Sequence, residues 1–243
     1  MRKVISASEV GSYIFCPRAW HMRRHGVSMP DAGARLRLAS GSEKHSAHAA
    51  QVEGTVRMAR GTMVFSLLAA LSSLLYLLTS VAFFLHLSAV SAISTMVMIL
   101  LARRGRRETG VRGAVVYTDA KGKPLFSRRL LFTGRPDYLV QQEGMTVPVE
   151  FKARPAPSVP YASHIWQLRS YCLLVEEVMG TSPGFGVLRY EDREFRVPYT
   201  PGERLTLLGY LREMRRTMAL SSRPPGQRDN RCTICGYRSL CGF

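Results

Sequence analysis

Polar and apolar positions divide this chain unevenly. From Gly61 to Ala102 there is no Asp, Glu, Lys, Arg or Pro, and His86 is the one side chain that titrates near neutral pH. About 40 residues at 1.5 Å rise can cross a roughly 30 Å hydrocarbon core twice. A soluble helix of such length carries a charged outer face, and none is present. The pattern therefore predicts a two-pass transmembrane helical hairpin over 61–102. A buried or partner-binding soluble hairpin is the alternative. The turn is unmarked: Thr79-Ser80 divides the run evenly, whereas His86-Leu87-Ser88 leaves a short second helix.

Outside the run the periods are shorter. Residues 6–28 contain helix-like segments, with Ser6 or Ser8 as a cap before Glu9. Residues 32–60 predict a helix carrying Gly41 and His45 that can continue into the hairpin. Residues 112–119, 125–133, 137–141 and 146–152 read as strands, with turns at Gly134-Arg135-Pro136 and Gln142-Glu143-Gly144. Residues 161–179 predict a helix, and Phe185–Tyr190 with Glu194–Pro198 a strand hairpin. Residues 201–220 predict an amphipathic helix on Leu205, Leu208 and Leu211. Residues 221–231 read as a loop. The class is α/β, a mixed sheet flanked by helices. The expected division is an N-terminal helical part (1–60), the hairpin (61–102), a core (103–220) and a cysteine-rich tail (221–243).

Candidate chemistry sits in Arg135-Pro136-Asp137-Tyr138 and Pro148-Val149-Glu150-Phe151-Lys152. Side chains alternate along a strand, so Glu150 and Lys152 face one way and Phe151 the core. A hairpin can bring Asp137 beside Glu150. Two carboxylates can hold a hard divalent cation, which polarises a phosphate and activates water. A lysine can stabilise charge on the attacking water or in the transition state. Alone, Glu-x-Lys is common and fits an ordinary surface hairpin. Gly41-x-x-x-His45 precedes it, and Gln167-x-x-x-Tyr171 follows on one face of a predicted helix. The order of these motifs carries the information.

Cysteines form a second group. Cys16 stands early, and Cys232, Cys235 and Cys241 end the chain as C-x2-C-x5-C. Four thiolates bind Zn²⁺ tetrahedrally or an iron–sulfur cluster, and spacing alone leaves both open. The lack of a secretory signal disfavours disulfides. Cys172, in an apolar helix run, reads as a small buried hydrophobe.

The ordered motifs resemble the PD-(D/E)XK nuclease superfamily, in its RecB-like branch with Gln-x-x-x-Tyr. With the cysteines, the chain is most similar to the iron–sulfur, CRISPR-associated RecB-like exonucleases, the Cas-four family. The resemblance covers 1–60 and 111–243. It implies a restriction-endonuclease-like fold and a deoxyribonuclease, an exonuclease acting on single strands or ends. It implies that His45, Asp137, Glu150 and the Phe151 carbonyl hold Mg²⁺ or Mn²⁺, with Lys152 as catalytic lysine. Gln167 and Tyr171 would position DNA, and Cys16, Cys232, Cys235 and Cys241 would hold a [4Fe–4S] cluster. CRISPR adaptation proteins are the implied partners. The inserted hairpin departs from the soluble family pattern and suits another DNA-processing or antiviral defence pathway.

Charge adds topology. Formal net charge is +17, from 34 basic and 17 acidic residues, which suits a polyanion such as DNA or anionic lipid headgroups. Arg57 and Arg60 precede the apolar run, and Arg103, Arg104, Arg106 and Arg107 follow it. The positive-inside rule then places both flanks in the cytoplasm. Two passes through the cytoplasmic membrane satisfy this and keep both halves of the motif set together. A re-entrant hairpin does so equally. Arg128, Arg129, Arg135, Arg154 and Arg169 lie near the motifs and suit DNA phosphate. The alternative function is a non-catalytic, membrane-bound DNA-binding protein with a structural or redox cluster. The intact His45, Asp137, Glu150 and Lys152 argue against it. A zinc-ribbon membrane adaptor is a third reading. Strand polarity and oligomeric state are not encoded in these residues.

Overall fold

The computed structural model describes residues 4–109, 113–118, 123–219, 222–226 and 228–241, without the side chains of residues 37, 38, 42, 45, 108 and 118. It divides into two compact units: Met1–Ser46 with Val116–Phe243, and Ala47–Val115.

In the first unit a short strand β1 (Ile5–Ser6) leads into helix α1 (Ala7–Phe15). Ser6 starts that helix with a capping box: its Oγ accepts the Glu9 N–H at 3.3 Å, and Glu9 accepts the Ser6 N–H at 2.9 Å. Cys16 interrupts the helical path with extended backbone, and Pro17 opens α2 (Pro17–Arg24), where its missing N–H costs nothing. The long helix α3 (Ala32–Thr79) follows and contributes to both units, and then α4 (Ala82–Thr109). Five strands come next: β2 (Ala114–Thr118), β3 (Leu125–Ser127), β4 (Phe132–Gly134), β5 (Tyr138–Gln142) and β6 (Met145–Lys152). Helix α5 (Ala162–Met179), strands β7 (Phe185–Tyr190) and β8 (Glu194–Pro198), and helix α6 (Pro201–Ala219) complete the elements before two short 3-10 turns.

The expected single mixed sheet is two sheets among the described residues. One has the order β2-β5-β6-β7-β8, with β6 and β7 parallel and β5/β6 and β7/β8 antiparallel. The other has the order β1-β4-β3. The expected strand over 125–133 is broken for a local reason. Leu131 takes a left-handed φ of 42°, and Ser127 Oγ accepts the Leu130 N–H at 3.1 Å. These residues turn the chain back, so β3 pairs antiparallel with β4.

A tight turn sets the geometry of β5 and β6. Glu143 (φ 54°) and Gly144 (φ 73°) are both left-handed, the pattern of a two-residue type I′ hairpin. It fixes a register running from Gln142↔Met145 to Tyr138↔Val149. The next pair along this register is Asp137 opposite Glu150. A one-residue slip would turn Glu150 and Lys152 to the opposite face.

Helix α5 is the crossover that makes β6 and β7 parallel. It buries Leu168, Cys172, Leu173, Leu174 and Val175 completely. Its apolar face sits tightly on the strand before Asp137: a side chain at Gly134 would approach Leu174, Ala7 and Tyr171 to under 3 Å. Glycine there lets α5 come close enough for its polar face to reach β6.

In the second unit, α3 and α4 run antiparallel, since Ser73 meets Ser88 while Gly61 lies against Met98 and Gly105 against Thr55. The turn between them falls at Ser80-Val81, with Ser80 at φ 55°. The even division near Thr79-Ser80 is thus the one adopted, not the one near His86. Many of the facing side chains are small or polar, with Met98 against Gly61 an exception: Ser73 and Ser88 share a 2.6 Å hydrogen bond, and Ser72, Ser91 and Thr55 are buried. Leu67, Leu77, Phe83 and Ile93 are each at least 65 % exposed on the outside.

Candidate active site

Asp137 stands just before β5. Its Oδ2 accepts the N–H of Phe151 at 2.6 Å, which ties the carboxylate to the strand carrying Glu150. Alternation along β6 places Glu150 and Lys152 on one face. Glu150 is only 3 % exposed, and Phe151 is buried.

Lys152 Nζ donates to Glu150 Oε1 at 2.7 Å and to Gln167 Oε1 at 2.9 Å. Gln167 Nε2 donates to Glu150 Oε1 at 2.7 Å and to Tyr171 Oη at 3.1 Å. The ring closes for only one orientation of the amide, because Lys152 needs an acceptor and Glu150 a donor. Four residues separate Gln167 from Tyr171, one turn of α5, so both point at β6. A nearly buried carboxylate thus has its charge matched and its geometry held from two elements.

The sequence-predicted residues Asp137, Glu150, Phe151, Lys152, Gln167 and Tyr171 therefore come together. His45 belongs to α3, but its side chain lies outside the described residues. Among the described residues no three or more His, Cys, Asp or Glu side chains are grouped closely enough to hold one metal ion. Asp137, Glu150 and the Phe151 carbonyl are all oxygen donors, the chemistry that suits a hard cation such as Mg²⁺.

Cys16, Cys232, Cys235 and Cys241 line one cavity of about 160 Å³, together with Ala19 and Met22. Burial pushes the Cys235 thiol up, and the three neighbouring cysteines add to the shift. Two arginines without a sequence signal tie residues of this cavity's lining to the rest of the chain, Arg231 within the lining and Arg18 outside it. Arg18 donates to the Cys241 carbonyl at 2.7 Å, and Arg231 donates to the carbonyls of Ile14 and Phe15 at 3.1 and 2.8 Å. No local signal marks them, since their partners lie more than 200 positions away. Cys172 is buried in α5, where burial pushes its thiol up, as fits a small core residue.

A second group went unread beside Lys152. Tyr190 is the β7 register partner of Lys152, and its Oη lies 2.8 Å from His164 Nδ1. Tyr161 meets His164 edge to face, and the Arg154 guanidinium lies 4.9 Å from the Tyr161 ring centre. The available signal was the proline-rich stretch 155–160 that ends at Tyr161.

A profile of the PD-(D/E)XK nuclease superfamily matches residues 4–242, nearly the whole chain. The chain belongs to this superfamily. Members of the PD-(D/E)XK superfamily are typically nucleases that use Mg²⁺ or Mn²⁺, so Asp137, Glu150 and Lys152 fall in a fold suited to that chemistry. No curated protein matches the chain. Among solved structures, one described as the crystal structure of SSO0001 aligns over 77 % of this chain and 81 % of its own. Its identity is 18 % and its TM-score 0.33, too loose a likeness to argue from.

Proposed function

We propose that the chain is a metal-dependent deoxyribonuclease acting on single strands or ends, anchored in the cytoplasmic membrane and carrying a [4Fe–4S] cluster. The observation that carries the catalytic reading is the hydrogen-bonded ring of Glu150, Lys152 and Gln167 facing Asp137. A buried ion pair is poor value as a stabiliser, because desolvation offsets much of its attraction. A charged group kept nearly buried, with a bonded partner on each side, is better explained by a reaction.

His45, Asp137, Glu150 and the Phe151 carbonyl would hold the cation. When bound, Mg²⁺ or Mn²⁺ supplies polarisation of the phosphate and a lowered pKa for water. The chain's own groups do the rest. Lys152 Nζ is a compact cation held by Glu150 and Gln167, and it would stabilise charge on the attacking water or in the transition state. Gln167 fixes both Lys152 and Glu150, and Tyr171 fixes Gln167. The nearby arginines, among them Arg135 and Arg154, neutralise DNA phosphates.

The cluster reading rests on the cavity. All four cysteines line that one cavity, beside Phe15, Met22 and Arg231, so the fold brings Cys16 to the C-x2-C-x5-C motif as a shared metal group requires. The Cys235 thiol, held up by burial and three neighbouring cysteines, needs a strong local positive charge to become a thiolate ligand.

The anchor reading rests on the second unit. Two helices are long and apolar enough to cross a bilayer. Their inner face is rich in small and polar residues and most of their large apolar side chains face outward, the arrangement of helices packed in lipid. Arg57, Arg60, Arg103, Arg104, Arg106 and Arg107 then keep both ends of the hairpin in the cytoplasm. A membrane-tethered nuclease suits DNA processing or antiviral defence.

One experiment tests anchor and enzyme together. The full chain should resist carbonate extraction from membranes. With residues 62–102 replaced by a flexible linker it should become soluble and still cut labelled DNA with Mg²⁺ or Mn²⁺, and EDTA should stop it. Full-length protein that stays soluble without detergent overturns the anchor. A soluble, folded variant that cuts nothing while the full chain cuts shows the hairpin to be part of the enzyme.

A further inference from the structure

Three prolines in 155–160 lead into Tyr161, which caps the start of α5 through its backbone alone. The loop is pinned at several points. The Arg154 N–H donates to the Lys152 carbonyl at 2.7 Å, and the Arg154 carbonyl accepts the Glu191 N–H at 3.2 Å. Ala156 N–H donates to Asp192 Oδ1 at 2.7 Å. A loop so constrained loses little entropy when a ligand binds. Yet Tyr161 is 43 % exposed, and Arg154 is exposed beside it. Arg154 lies over the Tyr161 ring and donates to its hydroxyl at 3.3 Å. His164 supports the ring edge to face and is itself bonded to Tyr190.

This cluster adjoins the candidate catalytic residues on two elements. Arg154 follows Lys152 by two residues, and Tyr190 is the register partner of Lys152. His164 precedes Gln167 by three residues, so both lie on neighbouring positions of one helix face. A ligand held here would therefore lie beside the phosphate being cut.

Resting on the nuclease reading, we propose that Arg154, Tyr161, His164 and Tyr190 form a subsite for one unpaired nucleotide next to the scissile phosphate. The base stacks on the exposed Tyr161 ring, and Arg154 takes the adjoining phosphate. His164 and Tyr190 are positioning residues that hold the ring. Every base has a π-face, so the subsite tolerates any sequence. A base inside a duplex is stacked on its neighbours and cannot use it. The substrate class is then single-stranded DNA or a frayed end, set by this loop.

Binding separates this inference from catalysis. The full chain carrying Glu150→Gln, in detergent, is titrated against a fluorescent single-stranded oligonucleotide and a blunt duplex, read by anisotropy. Adding Tyr161→Ala or Tyr161→Leu should weaken single-strand binding by about 5- to 150-fold, while Tyr161→Phe stays within about twofold. Blunt-duplex binding should not change. Arg154→Gln should reduce the salt dependence of single-strand binding by about 0.7 of a logarithmic slope unit. Melting curves must show folded variants, and Tyr161→Leu, which keeps bulk without the ring, decides the matter if Tyr161→Ala unfolds. The inference is overturned if Tyr161→Leu binds the single strand like its parent, if both DNAs weaken equally, or if the parent binds no single strand. A wild-type chain that binds single strands through Tyr161 but hydrolyses none sinks the nuclease reading and leaves the subsite standing.

Discussion

Asp137→Ala, Glu150→Ala and Lys152→Ala should each lower DNA hydrolysis by at least about 10²–10³-fold, the scale seen when a group aimed at the transition state is removed. The loss should appear in kcat at saturating DNA, because these residues meet the reacting phosphate rather than the rest of the strand. Lys152→Ala also destabilises the fold. It takes the Lys152 ammonium away from Glu150, which is 3 % exposed, and breaking such a pair costs about 3–5 kcal/mol. Lys152→Arg keeps the charge but not the compact ammonium that fits between Glu150 and Gln167, so it should not restore the rate. Gln167→Ala should cost less, about 10- to 100-fold, since it acts through Lys152 and Glu150. Steady-state rates and melting curves on the same preparations check all of this. Folded Glu150→Ala and Lys152→Ala proteins with wild-type rates would remove the site assignment.

If the proposed cluster is present, protein purified without oxygen should be brown and hold about four iron and four sulfide per chain. Cys16→Ala or Cys235→Ala should lose both. Cys16 lies between α1 and α2, while Cys232, Cys235 and Cys241 lie in the tail, so the proposed cluster would cross-link α1–α2 to the tail. Without it, Tyr237 still packs on Ala19 and Met22 and donates its hydroxyl to the Val27 carbonyl, beside the Arg18 bond to the Cys241 carbonyl and the Arg231 bonds to Ile14 and Phe15. Each arginine bond contributes only about 1.5–3 kcal/mol. Residues 222–226 and 228–231 should become the first sites of proteolysis, and the melting temperature should fall. Stoichiometric zinc without iron in anaerobic protein contradicts the cluster.

Much of the candidate site was legible because local rules set it. Strand alternation puts Glu150 and Lys152 together, the Glu143-Gly144 turn sets the register of Asp137, and helical spacing aligns Gln167 with Tyr171. Ser6 announced α1 by its capping box. What was illegible depends on distant partners. Leu130-Leu131-Phe132-Thr133 reads as a strand on composition, but β1 claims Phe132 and Thr133, and Leu131 turns left-handed before them. Nothing near Tyr190 shows that β7 will lie beside β6, so its meeting with His164 was invisible. The turn of the apolar hairpin carries neither glycine nor proline, and only the fold distinguishes Ser80-Val81 from residues nearer His86.

On the proposed reading, Asp137 and Glu150 build an oxygen-donor site for the cation on which hydrolysis depends. Manganese titration followed by electron paramagnetic resonance tests it without relying on any substrate. Wild-type protein should quench the signal of free Mn²⁺ with saturation at a fixed number of ions per chain. Asp137→Asn and Glu150→Gln, folded by their melting curves, should lose that binding together with DNA cleavage. Equal Mn²⁺ binding by wild type and both variants would show that Asp137 and Glu150 do not form the cation site.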